Sequence, residues 1–105
     1  MATFTDASWS KPGGELDAAA YCRVCLIDTN PSGQAKVKDN CKLPVRSKPG
    51  GAVNKNALRN AAGRIFQMKG IGAEAKRKGA RKLVRLMREA KIDVGESLLR
   101  LAGMR

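Results

Sequence analysis

The residues best equipped for chemistry are three cysteines. Cys22 and Cys25 stand three apart, a spacing that puts both on one helix face, and Cys41 could converge on them from across a loop. Three sulfurs suggest zinc, but zinc asks for a fourth ligand, and only Asp28 or Asp39 is close by in sequence. A redox pair would need the strand-to-helix setting of a thioredoxin motif, which this stretch lacks. The adopted reading is that Cys22, Cys25 and Cys41 are small buried thiols packing a first helix against the segment around Cys41, with no metal and no cofactor. The opening residues MATFTDASWSKPGG contain no basic region leading into an apolar run, so a signal peptide is not expected. The chain is then expected to begin in a reducing compartment, where thiols rather than a disulfide framework prevail.

The rest of the catalytic inventory is sparse. The chain contains no His, which removes Ser-His-Asp and Cys-His catalysis and the commonest metal ligand. No pair of carboxylates stands out on one face. Gly70-Ile71-Gly72 does not match a dinucleotide fingerprint, and no Gly-Lys-Ser/Thr occurs. An enzyme is not expected.

The other chemistry is charge. Ala73 to Lys91 has the composition of a long helix, with Gly79 as its one glycine and no proline. At about 100° per residue, Ala80, Leu83, Val84, Met87 and Ala90 fall on one side and Lys78, Arg81, Lys82, Arg85 and Arg88 on the other. Glu74 suits the start of the helix, whereas Lys76, Arg77 and Lys78 place cations where the dipole disfavours them, a cost that a docked anion would reverse. The plain alternative is a solvated face on a packed helix.

The surrounding elements must position these groups. Residues 1–14 read as an extended arm closed by Lys11-Pro12-Gly13-Gly14, with Trp9 anchoring it to the body or to a partner. Residues 15–105 read as a single small helical domain. Glu15 to Ile27 is a helix candidate, with Leu16, Ala20, Val24 and Ile27 in one apolar line. Asp28 to Gly33 is a loop, and Gln34 to Cys41 a short helix or turn. Lys42 to Gly51 is an extended strap, because Pro44 and Pro49 bar a helix interior. Asn54 caps a helix over Lys55 to Gln67, whose Leu58, Ala61, Ala62, Ile65 and Phe66 recur at helical spacing. Phe66 and Leu83 are expected in the core. That helix and the basic one should form a hairpin. Glu96 to Ala102 gives a last short helix, with Gly103 at its cap. The expected fold class is therefore all-α: three or four short helices with an extended arm and a proline-containing strap.

Composition bounds the partners. Of 105 residues, 43% are hydrophobic, but only 4% are aromatic. Ala supplies 15 residues, so the core is modest and a partner could add stability. The net charge of +12 is uneven. Residues 1–41 hold five acids against four bases, and residues 42–105 hold 17 bases against four acids. That surplus points to nucleic acid, an acidic protein surface or an anionic membrane. No apolar run approaches the roughly 20 residues of a membrane span. The Ala-rich apolar side of the basic helix, lacking Trp and Phe, argues against a membrane surface.

One resemblance runs through the chain in linear order. It comprises Trp9, Tyr21-Cys22-x-x-Cys25-Leu26-Ile27-Asp28, Cys41-Lys42-Leu43-Pro44-Val45-Arg46, Pro49-Gly50-Gly51, Asn54-x-Asn56-Ala57 and Ala80-Arg81-Lys82-Leu83. From about Trp9 to Leu101 the sequence resembles a small module of tailed-phage head-assembly proteins, found alone or fused to prohead protease or capsid sequences. The resemblance implies a virion or head-morphogenesis context, with host cytoplasm during assembly, many copies per particle and no catalytic set. The chain carries no protease active-site residues.

Two functions are carried forward. The first is a non-enzymatic structural module of the phage head, docking on the capsid or another head protein through Lys78, Arg81, Lys82, Arg85 and Arg88 and through Trp9. The second is a sequence-independent DNA- or RNA-binding protein, with packaged DNA as the partner. A capsid binder should expose an apolar patch from Trp9, Phe4 or the last leucines. A nucleic-acid binder needs none, and the scarcity of aromatics argues against single-strand stacking.

Overall fold

The computed structural model describes residues 2–104; Met1 and Arg105, the outer ends of the two expected segments, lie outside the described residues. Eight regular elements follow in order: β1 (Phe4–Thr5), α1 (Ala18–Val24), β2 (Cys25–Asp28), β3 (Cys41–Pro44), β4 (Val53–Asn54), α2 (Lys55–Arg64), α3 (Ala73–Glu89) and α4 (Glu96–Ala102). Single 3-10 turns sit at Lys38–Asn40 and Ile65–Gln67. The all-α expectation is thus corrected to a mixed α/β fold, with four helices and two two-stranded sheets.

The correction has a backbone cause. A strap or arm laid on a core leaves buried N–H and C=O groups that need partners. Here they partner each other. β2 and β3 pair antiparallel, with Ile27 opposite Lys42 and Asp28 opposite Cys41. The Val45 N–H then donates to the Val24 carbonyl at 2.9 Å. The arm does likewise: β1 pairs parallel with β4, Phe4 opposite Val53. Asn54 Nδ2 donates to the Ala7 carbonyl at 2.9 Å.

The first helix is shorter than its apolar line suggests. It begins at Ala18 rather than Glu15, capped by Asp17, whose Oδ1 accepts from the Ala20 N–H at 2.8 Å. At Cys25 the backbone turns extended. Val24 to Ile27 are four consecutive buried residues, a run that fits a strand buried on both faces, and the pairing of Cys25 to Asp28 with β3 makes the last three of them strand.

The later helices follow their sequence signals. Asn54 Oδ1 accepts from the Ala57 N–H at 3.0 Å and opens α2. Leu58, Ala61 and Ile65 are buried. Phe66 is not: it is 47% exposed, against its expected place in the core. The buried stripe centres on Leu58, Ala61 and Ile65, and Phe66 lies about 110° from that centre at helical spacing. In α3 the apolar side is buried as expected, with Ala80, Leu83 and Val84 at 0% exposure. α3 is the hub, packing most extensively on α4, then β2, then α2. The anticipated α2–α3 hairpin is therefore only part of its environment. Gly79 is what lets β2 approach, since a Cβ there would lie 2.4 Å from Ile27 Cγ1. Gly103 ends α4 in the left-handed region, φ 68°.

Candidate functional site

α3 presents its charge where the pattern puts it. Lys78, Arg81, Lys82, Arg85 and Arg88 are all exposed. Arg81 has a second task. Its Nε donates to the Ala102 carbonyl at 2.8 Å, satisfying one of the orphan carbonyls at the end of α4, where a cation also suits the dipole. Lys76 is similarly committed, Nζ donating to the Met68 carbonyl at 2.8 Å. The ion pairs lie elsewhere: Asp28 with Lys36, Asp6 with Lys55 and Arg59, and Glu96 with Arg100. Lys78, Lys82, Arg85 and Arg88 have no carboxylate partner among the described residues. Lys78–Lys82 and Lys82–Arg85 are like charges at helical neighbour spacing, each costing roughly 0.2–0.5 kcal/mol. An anion laid along the face would remove that cost.

The structure adds two cations that the helix pattern does not contain. Arg23 from α1 and Arg46, just after β3, meet Lys82 and Arg85 around a cleft of about 350 Å³, with Glu89 the one acidic residue on its wall. Val24, Leu26 and Val45 give it an apolar floor. The Arg46 backbone is fixed by a bridge to Val53. Its Nε is buried and meets no acceptor among the described residues. Sequence reasoning missed both arginines because each is remote from α3 along the chain. The one available hint was that Arg46 sits in a strap tethered between Pro44 and Pro49.

Comparison with protein-family models, curated proteins and solved structures finds no match.

Trp9 is half-buried and packs on the main core, as does Phe4. The arm is also held by Asn56, whose Nδ2 donates to the Ala7 carbonyl at 3.0 Å. Trp9 is thus an anchor of the arm onto its own body. It borders a groove of about 730 Å³ on the side of Tyr21 and Pro44, away from the α3 cleft. Leu98 is buried, and Leu99 and Leu101 are half-buried. The large hydrophobics exposed among the described residues are Val37 and Phe66. No described helix is long and apolar enough to cross a membrane.

The cysteines depart from the three-thiol expectation. Cys22 and Cys41 form a disulfide, Cα atoms 5.3 Å apart, and only Cys25 is free. The β2–β3 ladder brings Cys41 opposite Asp28, and β3 packs on α1, which carries Cys22. The Asp28 carboxylate lies within 4.8 Å of both bonded sulfurs, and the bond leaves neither as a thiolate. Burial alone would raise the Asp28 carboxyl, but bonds from Lys36 and Asn30 hold it below its ordinary value. Cys25 packs with Cys22 and Cys41 in one buried cluster beside Tyr21 but stands outside the Cys22–Asp28–Cys41 donor group. Burial pushes its thiol up to about 12, so it is an inert packing sulfur rather than a nucleophile.

Proposed function

We propose that this protein is a non-enzymatic binding module of a tailed-phage head, the setting its sequence resemblance implies, and that the basic face of α3 holds a nucleic-acid backbone. Packaged duplex DNA is the partner that fits. The observation carrying the reading is that Lys78, Lys82, Arg85 and Arg88 stand exposed on one helix and form no ion pair among the described residues. A stripe of this kind contacts phosphates and reads no bases, so it binds without regard to sequence.

Docking on an acidic capsid surface uses the same cations but asks for an apolar anchor as well. The aromatic side chains of the arm are spent on the chain's own core, which favours DNA over the capsid. The test is an anisotropy titration of several unrelated duplexes at about 150 mM salt, the physiological ionic strength. Similar affinities for all of them are expected. Absent binding, together with salt-sensitive attachment to assembled particles, would overturn the DNA reading and reinstate the capsid.

A further inference from the structure

We infer that the cleft between α1, Arg46 and α3 is a discrete seat for a single phosphate group. The inference rests on the polyanion reading of α3 and gives that face a fixed point.

The first support is convergence. Arg23, Arg46, Lys82 and Arg85 come from three separate segments yet surround one cleft, so the cluster is not a by-product of helical periodicity. Glu89 does not cancel them, because one carboxylate faces four cations around the cleft. Its Oε1 accepts from the Ala2 N–H at 3.3 Å.

The second support is the arginine fork. Arginine carries five N–H donors in a rigid fork and cannot shed its charge. Arg46 lines the cleft with its Nε closed to solvent, so a phosphate there meets the other N–H donors of the guanidinium, which suit it bidentately. The third support is rigidity. The strap bearing Arg46 is held on both sides: the Val45 N–H donates to the Val24 carbonyl at 2.9 Å, and the Asn54 N–H to the Val45 carbonyl at 2.8 Å. The apolar floor lowers the local dielectric and strengthens the charge interaction.

Arginine side-chain NMR of the full chain tests this, with inorganic phosphate and dimethyl phosphate as separate probes at constant ionic strength. The Arg46 Nε–H resonance should move saturably. Arg46→Lys, which keeps the charge and loses the fork, should weaken phosphate binding tenfold or more, read from the remaining cleft resonances. Arg23→Gln, on an exposed side chain, should weaken it several-fold and serves if Arg46→Lys does not fold. Tighter saturation by dimethyl phosphate makes the source a backbone diester, and tighter saturation by inorganic phosphate a terminal phosphate. A linear, unsaturable shift, or variants that bind like the parent, would overturn the seat. Duplex DNA titrated on the same samples separates the two ideas. Duplex binding without a saturable phosphate site removes the seat and keeps the face, whereas the reverse removes the face and keeps the seat.

Discussion

Gly79→Ala should destabilise the protein, although the substitution replaces the one glycine inside its longest helix. In an ordinary helix interior the change gains roughly 0.5–1 kcal/mol. Here the new methyl would meet Ile27 Cγ1 at 2.4 Å and Cδ1 at 3.1 Å. Ile27 is 1% exposed, and Cγ1 is not the free end of a flexible chain, so β2 or α3 must move. Overpacking of this kind costs about 1–3 kcal/mol, leaving a net loss of about 0.5–2 kcal/mol after the helical gain. Gly63→Ala is the matched control, since nothing lies within 4 Å of a Cβ built there. It should gain roughly 0.5–1 kcal/mol. Urea unfolding followed by circular dichroism reads both, and the midpoints should move in opposite directions. A double-mutant cycle with Ile27→Ala should recover about 1 kcal/mol of the Gly79→Ala loss if the clash is the cause. Two equally stabilised glycine variants would show that β2 does not approach α3 here, and the placement of Arg23 and Arg46 beside α3 would fall with it.

Three further outcomes are expected. Arg81→Ala should cost about 1 kcal/mol although the residue is exposed, because the Ala102 carbonyl loses its donor; Arg88→Ala, with no such bond, should cost close to nothing in the same thermal melt. Thiol titration in denaturant without reductant should find one thiol, Cys25, and reduction should lower stability by about 3 kcal/mol for a loop of this size; three thiols before reduction would contradict the Cys22–Cys41 pairing. With the Cys25 thiol raised to about 12, the unfolded chain ionises first, near pH 8.5 or so. The stability it contributes is then fully present below that point and is lost as pH climbs toward the folded value. Cys25→Ala should flatten that part of the pH profile, and an unchanged alkaline slope would refute the assignment.

Much of the helical half is legible in the residues. The phase of α3, the Asn54 cap and the Gly103 terminus are local signals, each deciding a backbone bond within a few residues. The strands are not local. Val24 to Ile27 is apolar without a break, and periodicity cannot separate a buried strand from a helix over so short a run. Only the ladder with Cys41 to Pro44 decides it. β1 and β4 are two residues each, and nothing in Phe4-Thr5 or Val53-Asn54 announces a partner some fifty residues away. Phe66 misleads because it sits at the edge of a helical arc that closes into a 3-10 turn at Ile65–Gln67. Of the site, the stripe was legible as a face, while the cleft was not, because Arg23 and Arg46 join it only through β2 and β3.

The proposed role of α3 requires that its exposed cations neutralise phosphates. The most direct measurement is the salt dependence of duplex DNA binding for the parent chain and for the double variant Lys78→Ala, Arg88→Ala. These residues are clear of the cleft and of the Arg81 bond to α4, so the variant should fold. Each phosphate contact contributes about −0.9 to the slope of log affinity against log salt. The account predicts a slope shallower by about two in the variant, by the same amount on every duplex. An unchanged slope, or a loss confined to one sequence, would contradict it.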